Sequence, residues 1–322
     1  MKKKVNLAVI GGGYMGQNHI RILSSLPDVN LVAVCDIDQQ KGKKLSMQYK
    51  IRNYSNYEVL LAKEKVDAIT ICLPTKLHYQ ATYYALSKHI ASFIEKPICE
   101  TVEEARKLIE LSEARKIPIM VGHVERFNPV VNEIKRRLKS KELGQVFRIH
   151  TQRFSPPPTR DQGVSVTIDL ATHDIDVVLY ILGQKPKKIY SHSQTKKHSK
   201  FDLVCAFLEF EGGITGLIEA TWLYPIKKRM ISVLGEKGLY IADYITQELF
   251  FYKQNKLLFR GNYLYNNTKA DVIKIPLETK EPLLLELQSF VNSLVEGSKM
   301  LITAKESLAT LEVANKIDEA KP

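Results

Sequence analysis

A chain of 322 residues that is 44% hydrophobic and 25% charged has the composition of a soluble globular protein, with enough length to bury one large core or two medium ones. Disorder, collagen and a disulfide-stapled miniprotein are excluded by those figures. With 47 basic against 35 acidic side chains the formal charge is +12, which fits a nucleic acid, an anionic membrane surface or a negatively charged small substrate without choosing among them.

The basic opening Met1–Lys4 ahead of apolar Val5–Ile10 imitates a signal peptide. Gly11-Gly12-Gly13 ends the apolar run early, however, and no small-residue cleavage site follows, so Val5–Ile10 reads as a buried first strand. No stretch reaches the roughly 18 apolar residues of a membrane span, and no membrane partner is expected. From there to Gly122, short β-rich apolar runs alternate with helical patterns. Strands are predicted at Val5–Ile10, Leu31–Cys35, Ala68–Cys72, Ser92–Glu95 and Ile117–Gly122. Between them, Met15–Leu26, Asp38–Tyr49, Leu77–Ser87 and Val102–Arg115 carry apolar residues three and four apart, the stripe of a helix lying on a sheet. Thr101 with Glu104 is a capping-box pair for the last helix. Repeated strand, crossover helix and parallel strand predict an α/β, doubly wound parallel sheet.

After Gly122 the pattern changes. A helix is predicted at Pro129–Lys139, an extended run at Gln145–Phe154, a stiff Ser155-Pro156-Pro157-Pro158 loop and a second helix at Val166–Leu182. Strand-like runs follow at Ile189–Gln194, Leu203–Phe210, Ile214–Trp222, Met230–Leu234 and Leu239–Asp243, separated by glycine-bearing hairpin signals. Helices are predicted again near Leu283–Leu294 and Ala304–Ala320. This is the pattern of a largely antiparallel open sheet with helices on one face. Two domains are expected, residues 1–122 for a dinucleotide and residues 123–322 for substrate and oligomer contacts. The four cysteines, Cys35, Cys72, Cys99 and Cys205, stand singly and read as reduced thiols of a cytoplasmic protein.

Gly11-Gly12-Gly13-Tyr14-Met15-Gly16 satisfies Gly-x-Gly-x-x-Gly directly after the first strand and before the first helix, the context in which that motif binds a dinucleotide. Gly11, Gly13 and Gly16 allow a tight turn and close backbone approach to a pyrophosphate, with Tyr14 and Met15 at the helix start. Asp36, ending the second strand, is placed to accept from ribose hydroxyls and to repel a 2′-phosphate, so NAD is expected over NADP. The alternative is a plain glycine turn with an unrelated acidic cap. Thr75 and His78, after the third strand, are cofactor-lining candidates, although Thr75 equally reads as a helix cap. Glu95-Lys96-Pro97 ends the fourth strand at the same sheet edge, and Lys96 there either meets a ligand or snorkels to solvent. Asp169, His173 and Asp176 are spaced to share one helix face. They suit a catalytic cleft, an exposed polar face or, less well, a metal, for which three ligands in line are a poor set.

Taken in order, Gly11 to Gly16, Asp36, Pro74 to His78, Glu95-Lys96-Pro97 and Asp169-x-x-x-His173-x-x-Asp176 resemble the glucose-fructose oxidoreductase, inositol dehydrogenase and MocA-like family. The resemblance implies an NAD-dependent dehydrogenase acting on a CH–OH group. It assigns Glu95 to the cofactor site, Lys96 to hydrogen bonding of the reacting hydroxyl, Asp169 to orientation of the site and His173 to the general base, with a homodimer or homotetramer as the assembly. Gly122-His123-Val124-Glu125-Arg126-Phe127-Asn128-Pro129 looks like the branch that includes UDP-N-acetylglucosamine 3-dehydrogenases, with oxidation at C3. Arg126 and Asn128 then become substrate-binding candidates, as guanidinium forks suit phosphate oxygens, or else braces of the domain junction. A free sugar or an inositol is the alternative substrate.

Two readings of another class stand beside this one. A protein that senses NAD without turnover would keep the fold and lose the chemistry. Nucleic-acid binding would use Lys185, Lys187, Lys188, Lys196, Lys197 and Lys200, which fall in one stretch without acids. Only Tyr190 and Phe201 interleave as aromatics, so base stacking has little support and no nucleic-acid partner is expected. A sheet edge protected by lysines explains the same run. Val204, Ala206, Leu208, Phe210 and Trp222 are expected to form an apolar outer sheet face, which favours self-association.

Overall fold

The computed structural model of the chain describes residues 4–158, 163–254, 258–260, 263–265 and 271–320; Met1 to Lys3 of the basic opening lie outside them. The chain divides into two compact units, Met1–Val124 with Leu283–Leu311, and Glu125–Pro282 with Glu312–Pro322. This differs from the single cut expected after residue 122, because a late segment belongs to the first unit.

In the first unit the elements run β1 (Val5–Ile10), α1 (Tyr14–Leu23), β2 (Val29–Cys35), α2 (Gln39–Tyr49), β3 (Arg52–Tyr54), α3 (Tyr57–Lys63), β4 (Ala68–Ile71), α4 (His78–Ser87), β5 (Ala91–Glu95), α5 (Val102–Arg115) and β6 (Ile119–Gly122). The strands form one parallel sheet in the order β3-β2-β1-β4-β5-β6, the order of a doubly wound dinucleotide-binding fold. Every residue of β4 is buried, as a strand covered by helices on both faces requires. Helix starts follow local chemistry: Asp38 accepts from Lys41 N at α2, and Thr101 and Glu104 form the expected capping box at α5. The pair β3 and α3 is absent from the sequence expectation. A three-residue strand has too little pattern to read, and the helix announces itself only through its cap Asn56.

The second unit holds α6 (Pro129–Lys139), β7 (Val146–Phe154), α7 (Thr172–Leu182), β8 (Lys188–Gln194), β9 (Leu203–Glu209), β10 (Thr215–Thr221), β11 (Lys228–Gly235), β12 (Gly238–Asp243), β13 (Glu248–Lys253), the short pair β14 (Leu258–Arg260) and β15 (Tyr263–Tyr265), and β16 (Asp271–Ile275). Eight strands form one sheet in the order β16-β13-β12-β11-β7-β10-β9-β8. It is antiparallel throughout except where β7 lies parallel to β10. Side chains alternate across it: Val204, Ala206 and Leu208 are buried, as are Phe210 and Trp222. The residues expected to form an apolar outer face therefore belong to the core, and it is Cys205, Phe207 and Leu217 that take the other side.

The chain closes with α8 (Pro282–Glu296) and α9 (Ala304–Glu319). Leu287, Phe290 and Val291 of α8 are fully buried, with Phe290 edge-on to Phe93 of β5 at 5.6 Å, and Thr303 bridges to Met120 of β6. Burial of this apolar stripe is what adds the segment to the first unit. Residues of α9 up to Leu311 group with the first unit and those from Glu312 with the second. No helix among the described residues is long and apolar enough to cross a membrane.

Candidate functional site

β1 ends at Ile10 and α1 begins at Tyr14, so Gly11, Gly12 and Gly13 make the whole connection. Gly11 has φ +99°, and a Cβ on it would lie 2.5 Å from the Cys72 carbonyl oxygen; one on Gly16 would lie 1.8 Å from that of Gly11. These two glycines are needed by the turn itself. Gly13 differs, because nothing lies within 4 Å of where its Cβ would point. As the N-cap of α1 it also brings no side chain to the first-turn N–H groups. The helix start thus turns backbone donors and its positive dipole end toward open space, an arrangement that accepts a phosphate. Tyr14 beside it is 83% exposed and Met15 is half-buried.

Asp36 follows β2 and is buried at its base. Its Oδ2 accepts from Gly12 N at 2.7 Å and its Oδ1 from Asp38 N at 2.8 Å, so the carboxylate is tied to the glycine turn while each oxygen keeps a second lone pair. The Lys41 ammonium stands 3.8 Å from Oδ2. Ile37, next in sequence, is 90% exposed, an apolar surface directly beside the acid. The open cradle at Gly13, the uncapped helix start and the tethered acid fit a dinucleotide.

β4 and β5 run parallel and end side by side, with Ile71 opposite Ile94. Thr75 opens a single 3-10 turn, Thr75–Leu77, and is half-buried; the residue before α4 is Leu77, so Thr75 does not cap that helix. Glu95 is held by α1, its Oε1 being 2.8 Å from Nε2 of the fully buried His19. Lys96 is half-buried, and its peptide bond to Pro97 is cis. His78 departs from expectation. It is 1% exposed, and both ring nitrogens are committed to backbone carbonyls, Nδ1 to Pro97 and Nε2 to Leu73, each at 2.8 Å. A ring so enclosed has no face for a cofactor.

In the second unit the stretch expected as one helix begins with a π turn, Thr167–Ala171, that contains Asp169 and leads into α7. Such turns interrupt the regular i, i+4 register and recur at functional sites. The expected stripe is split accordingly. Asp169 and His173 are half-buried, whereas Asp174 and Asp176 are fully buried. Asp176 is gripped by Arg126 through two bonds, Nε to Oδ2 at 2.8 Å and Nη2 to Oδ1 at 2.7 Å. Asp174 is gripped likewise by Arg153, Nε at 2.7 Å and Nη2 at 3.1 Å, and Arg153 Nη1 reaches Glu125 at 3.0 Å. Burial works against the Arg153 charge, but Asp174 and Glu125 more than offset it and hold that guanidinium above its ordinary pKa.

The substrate-binding expectation for Arg126 and Asn128 does not survive this geometry. Both are 2% exposed. Arg126 spends its fork on Asp176. Asn128 caps α6 at Val130 N and donates to the Tyr244 carbonyl and to Glu125. They are internal braces, and sequence spacing could not show it, because Arg126 and Asp176 are fifty positions apart.

Arg229 is a neighbour that the sequence did not single out. On β11 it donates to the Phe154 carbonyl at 2.5 Å and to Ser155 Oγ at 2.7 Å. Burial, and then the charge of Arg153, pull its pKa down to about 10, with Asp174, Glu125 and Asp169 opposing. Nothing in its local sequence signals the role.

The lysine run also looks different once folded. Lys185, Lys187 and Lys188 meet Glu312, Glu211 and Glu209, acids contributed by other parts of the chain. The backbone N–H groups of Lys196, Lys197 and His198 converge on buried Asp202. β8 is an edge of its sheet, where charged side chains guard against further pairing.

Comparisons with known proteins agree with this architecture. Residues 5–123 match the model of an oxidoreductase family with an NAD-binding Rossmann fold, and residues 131–241 match the GFO/IDH/MocA C-terminal domain. The UDP-N-acetylglucosamine 3-dehydrogenase of Acidithiobacillus ferrooxidans is 23% identical over 89% of this chain and 87% of its own. The scyllo-inositol 2-dehydrogenase (NAD(+)) of Bacillus subtilis is 26% identical over 97% of this chain and 93% of its own. Among solved structures, that of the Acidithiobacillus enzyme GnnA superposes with a TM-score of 0.86 at 21% identity, covering 98% of this chain and 97% of that one. GenD2 from gentamicin A biosynthesis, in complex with NAD, gives 0.83 at 19% identity, covering 97% and 93%. With the glycine turn, the tethered acid and both domain matches in place, this chain belongs to the Gfo/Idh/MocA oxidoreductase family.

Proposed function

We propose that the protein is an NAD-dependent dehydrogenase that oxidises a secondary hydroxyl of a nucleotide sugar resembling UDP-N-acetylglucosamine, at C3, with the first compact unit, Met1–Val124 and Leu283–Leu311, as the cofactor domain and the second as the substrate domain. One observation carries the chemistry. Of the acids and the imidazole on the stretch Thr167–Leu182, Asp174 and Asp176 are buried in arginine pairs, and Asp169 and His173 keep exposed surface. The two that keep exposed surface are the ones a substrate can reach.

Gly11, Gly13 and Gly16, with Tyr14 and Met15, hold the pyrophosphate. Asp36 accepts from the adenosine ribose, and its charge disfavours a 2′-phosphate, so NAD is preferred to NADP. Thr75 and Glu95 line the same region. NAD, when bound, supplies the hydride acceptor. On the protein's side, His173 takes the hydroxyl proton, the general-base role that imidazole fills most often. Lys96 stabilises the developing negative charge on the oxygen, and Asp169 orients the hydroxyl and the imidazole. A free sugar or an inositol is the second reading, favoured by the inositol dehydrogenase relative that matches over nearly the whole chain. The outward side of the eight-stranded sheet, with Tyr190, Phe207 and Leu217 around the His150–Glu219 pair, supports self-association into a dimer or tetramer, which light scattering would test. The function itself is tested by mixing the protein and NAD with UDP-sugars, inositols and simple sugars and following absorbance at 340 nm. A rise with UDP-N-acetylglucosamine is expected; a rise with inositols alone selects the second reading, and binding of NAD with no rise at all selects a sensor.

A further inference from the structure

His78, the first residue of α4, joins two chain segments that the sheet brings together. Its Nδ1 lies 2.8 Å from the Pro97 carbonyl and its Nε2 2.8 Å from the Leu73 carbonyl. Leu73 belongs to the segment leaving β4 and carrying Thr75, and Pro97 to the segment leaving β5, joined directly to Lys96. The ring is buried and therefore cannot wander. No regular backbone ladder continues past Ile71 and Ile94 to hold these exits in register beyond Glu95. The imidazole takes over where the sheet stops.

We propose that His78 is a positioning residue for Lys96, anchoring the Lys96–Pro97 segment to the Leu73–Thr75 loop so that the ammonium projects from a fixed backbone. This rests on the role of Lys96 proposed above. A carbonyl accepts only from an N–H, so both contacts are hydrogen bonds at once in the imidazolium and one at a time in either neutral tautomer, and the two anchors are chemically separable. The amide nitrogen of asparagine lies as many bonds from Cα as Nδ1 of histidine, and that of glutamine as many as Nε2. His78→Asn therefore retains a donor toward Pro97, His78→Gln retains one toward Leu73, and His78→Leu retains neither.

Hydrogen exchange of the protein without added ligand reads the anchors directly. In His78→Leu, exchange should quicken in both Leu73–Thr75 and Lys96–Ile98. His78→Asn should restore protection around Lys96, and His78→Gln only around Leu73. In turnover of the substrate found at 340 nm, His78→Leu should lose roughly a hundredfold in kcat, as misplacement by about an ångström does, and His78→Asn should recover more of it than His78→Gln. Placed in a Lys96→Met background, His78→Leu should cost nothing further, because a residue acting through Lys96 has nothing left to position. If the losses multiply instead, or if exchange around Lys96 is unchanged in His78→Leu, the proposal is overturned. Should His78→Leu not fold, the asparagine and glutamine variants carry the same comparison. A protein that turns over none of the substrates defeats the assignment of Lys96, while the exchange pattern still decides the anchor.

Discussion

In the first unit the groups proposed to meet a ligand are backbone N–H groups at the start of α1, and what leaves them open is the absence of side chains at Gly11, Gly13 and Gly16. In the second they are side chains, Asp169 and His173, on the same stretch of chain as a layer of buried arginine–carboxylate pairs made by Asp174 and Asp176. One region is built by steric exclusion within a few residues of chain. The other is built by electrostatics between residues far apart in sequence. The difference teaches where each is vulnerable: an added methyl group damages the first, and a lost charge damages the second.

The largest effect expected from that contrast is at Asp176. Asp176→Ala leaves the Arg126 guanidinium buried without its bidentate partner, and removing one member of a buried pair costs about 3–5 kcal/mol. Urea unfolding measures it, and a loss below about 1 kcal/mol, the range of a surface pair, would show that the layer does not hold the second unit. Next come the glycines. Gly16→Ala forces a Cβ against the Gly11 carbonyl and should cost on the order of 1–3 kcal/mol. Gly13→Ala points into open space and should change stability by no more than about 0.5 kcal/mol. Calorimetry should nevertheless find NAD bound more weakly by Gly13→Ala, since its methyl occupies the space assigned to the pyrophosphate. Equal NAD affinity in Gly13→Ala and wild type would remove the pyrophosphate from that position.

The smallest effect sharpens the comparison, because Asp202 in the second unit is held as the first unit would hold a phosphate. Burial raises the pKa of its carboxyl, but the backbone N–H groups of Lys197, Lys196 and His198 outweigh burial and keep it below the usual carboxylate range. A carboxyl with a depressed folded pKa contributes stability above its unfolded value, about 3.9, and loses it as pH falls through the folded one. Acid unfolding of Asp202→Asn should therefore show a shallower decline below about pH 4 than wild type. An unchanged acid limb would mean that this backbone nest adds nothing.

The same contrast explains what was legible in the sequence. The glycine turn, Asp36 and the alternation of strands and helices are local patterns, and α5 and α6 begin and end where their caps and apolar spacing place them. The fate of the ionisable residues on α7 was not legible. Asp169, His173 and Asp176 share a face in a regular helix, but the π turn at Thr167–Ala171 interrupts the register, and the partner of Asp176 comes from another element. Arg126 and Asn128 were drawn toward a ligand by their polarity, when burial had already assigned them to the frame. In β9 the period of two was visible, but which of its faces met the core was not, so Val204, Ala206 and Leu208 were placed outside. The acids that meet Lys185, Lys187 and Lys188 are Glu312, Glu211 and Glu209, which lie outside the lysine run and have no local signal within it.

The most direct test of the account is turnover by His173→Ala on the substrate identified at 340 nm, with NAD affinity measured on the same preparation. The variant should show a fall in kcat of about 10²–10⁴, the worth of a general base, with NAD bound as tightly as by wild type. Undiminished turnover with NAD bound would contradict it.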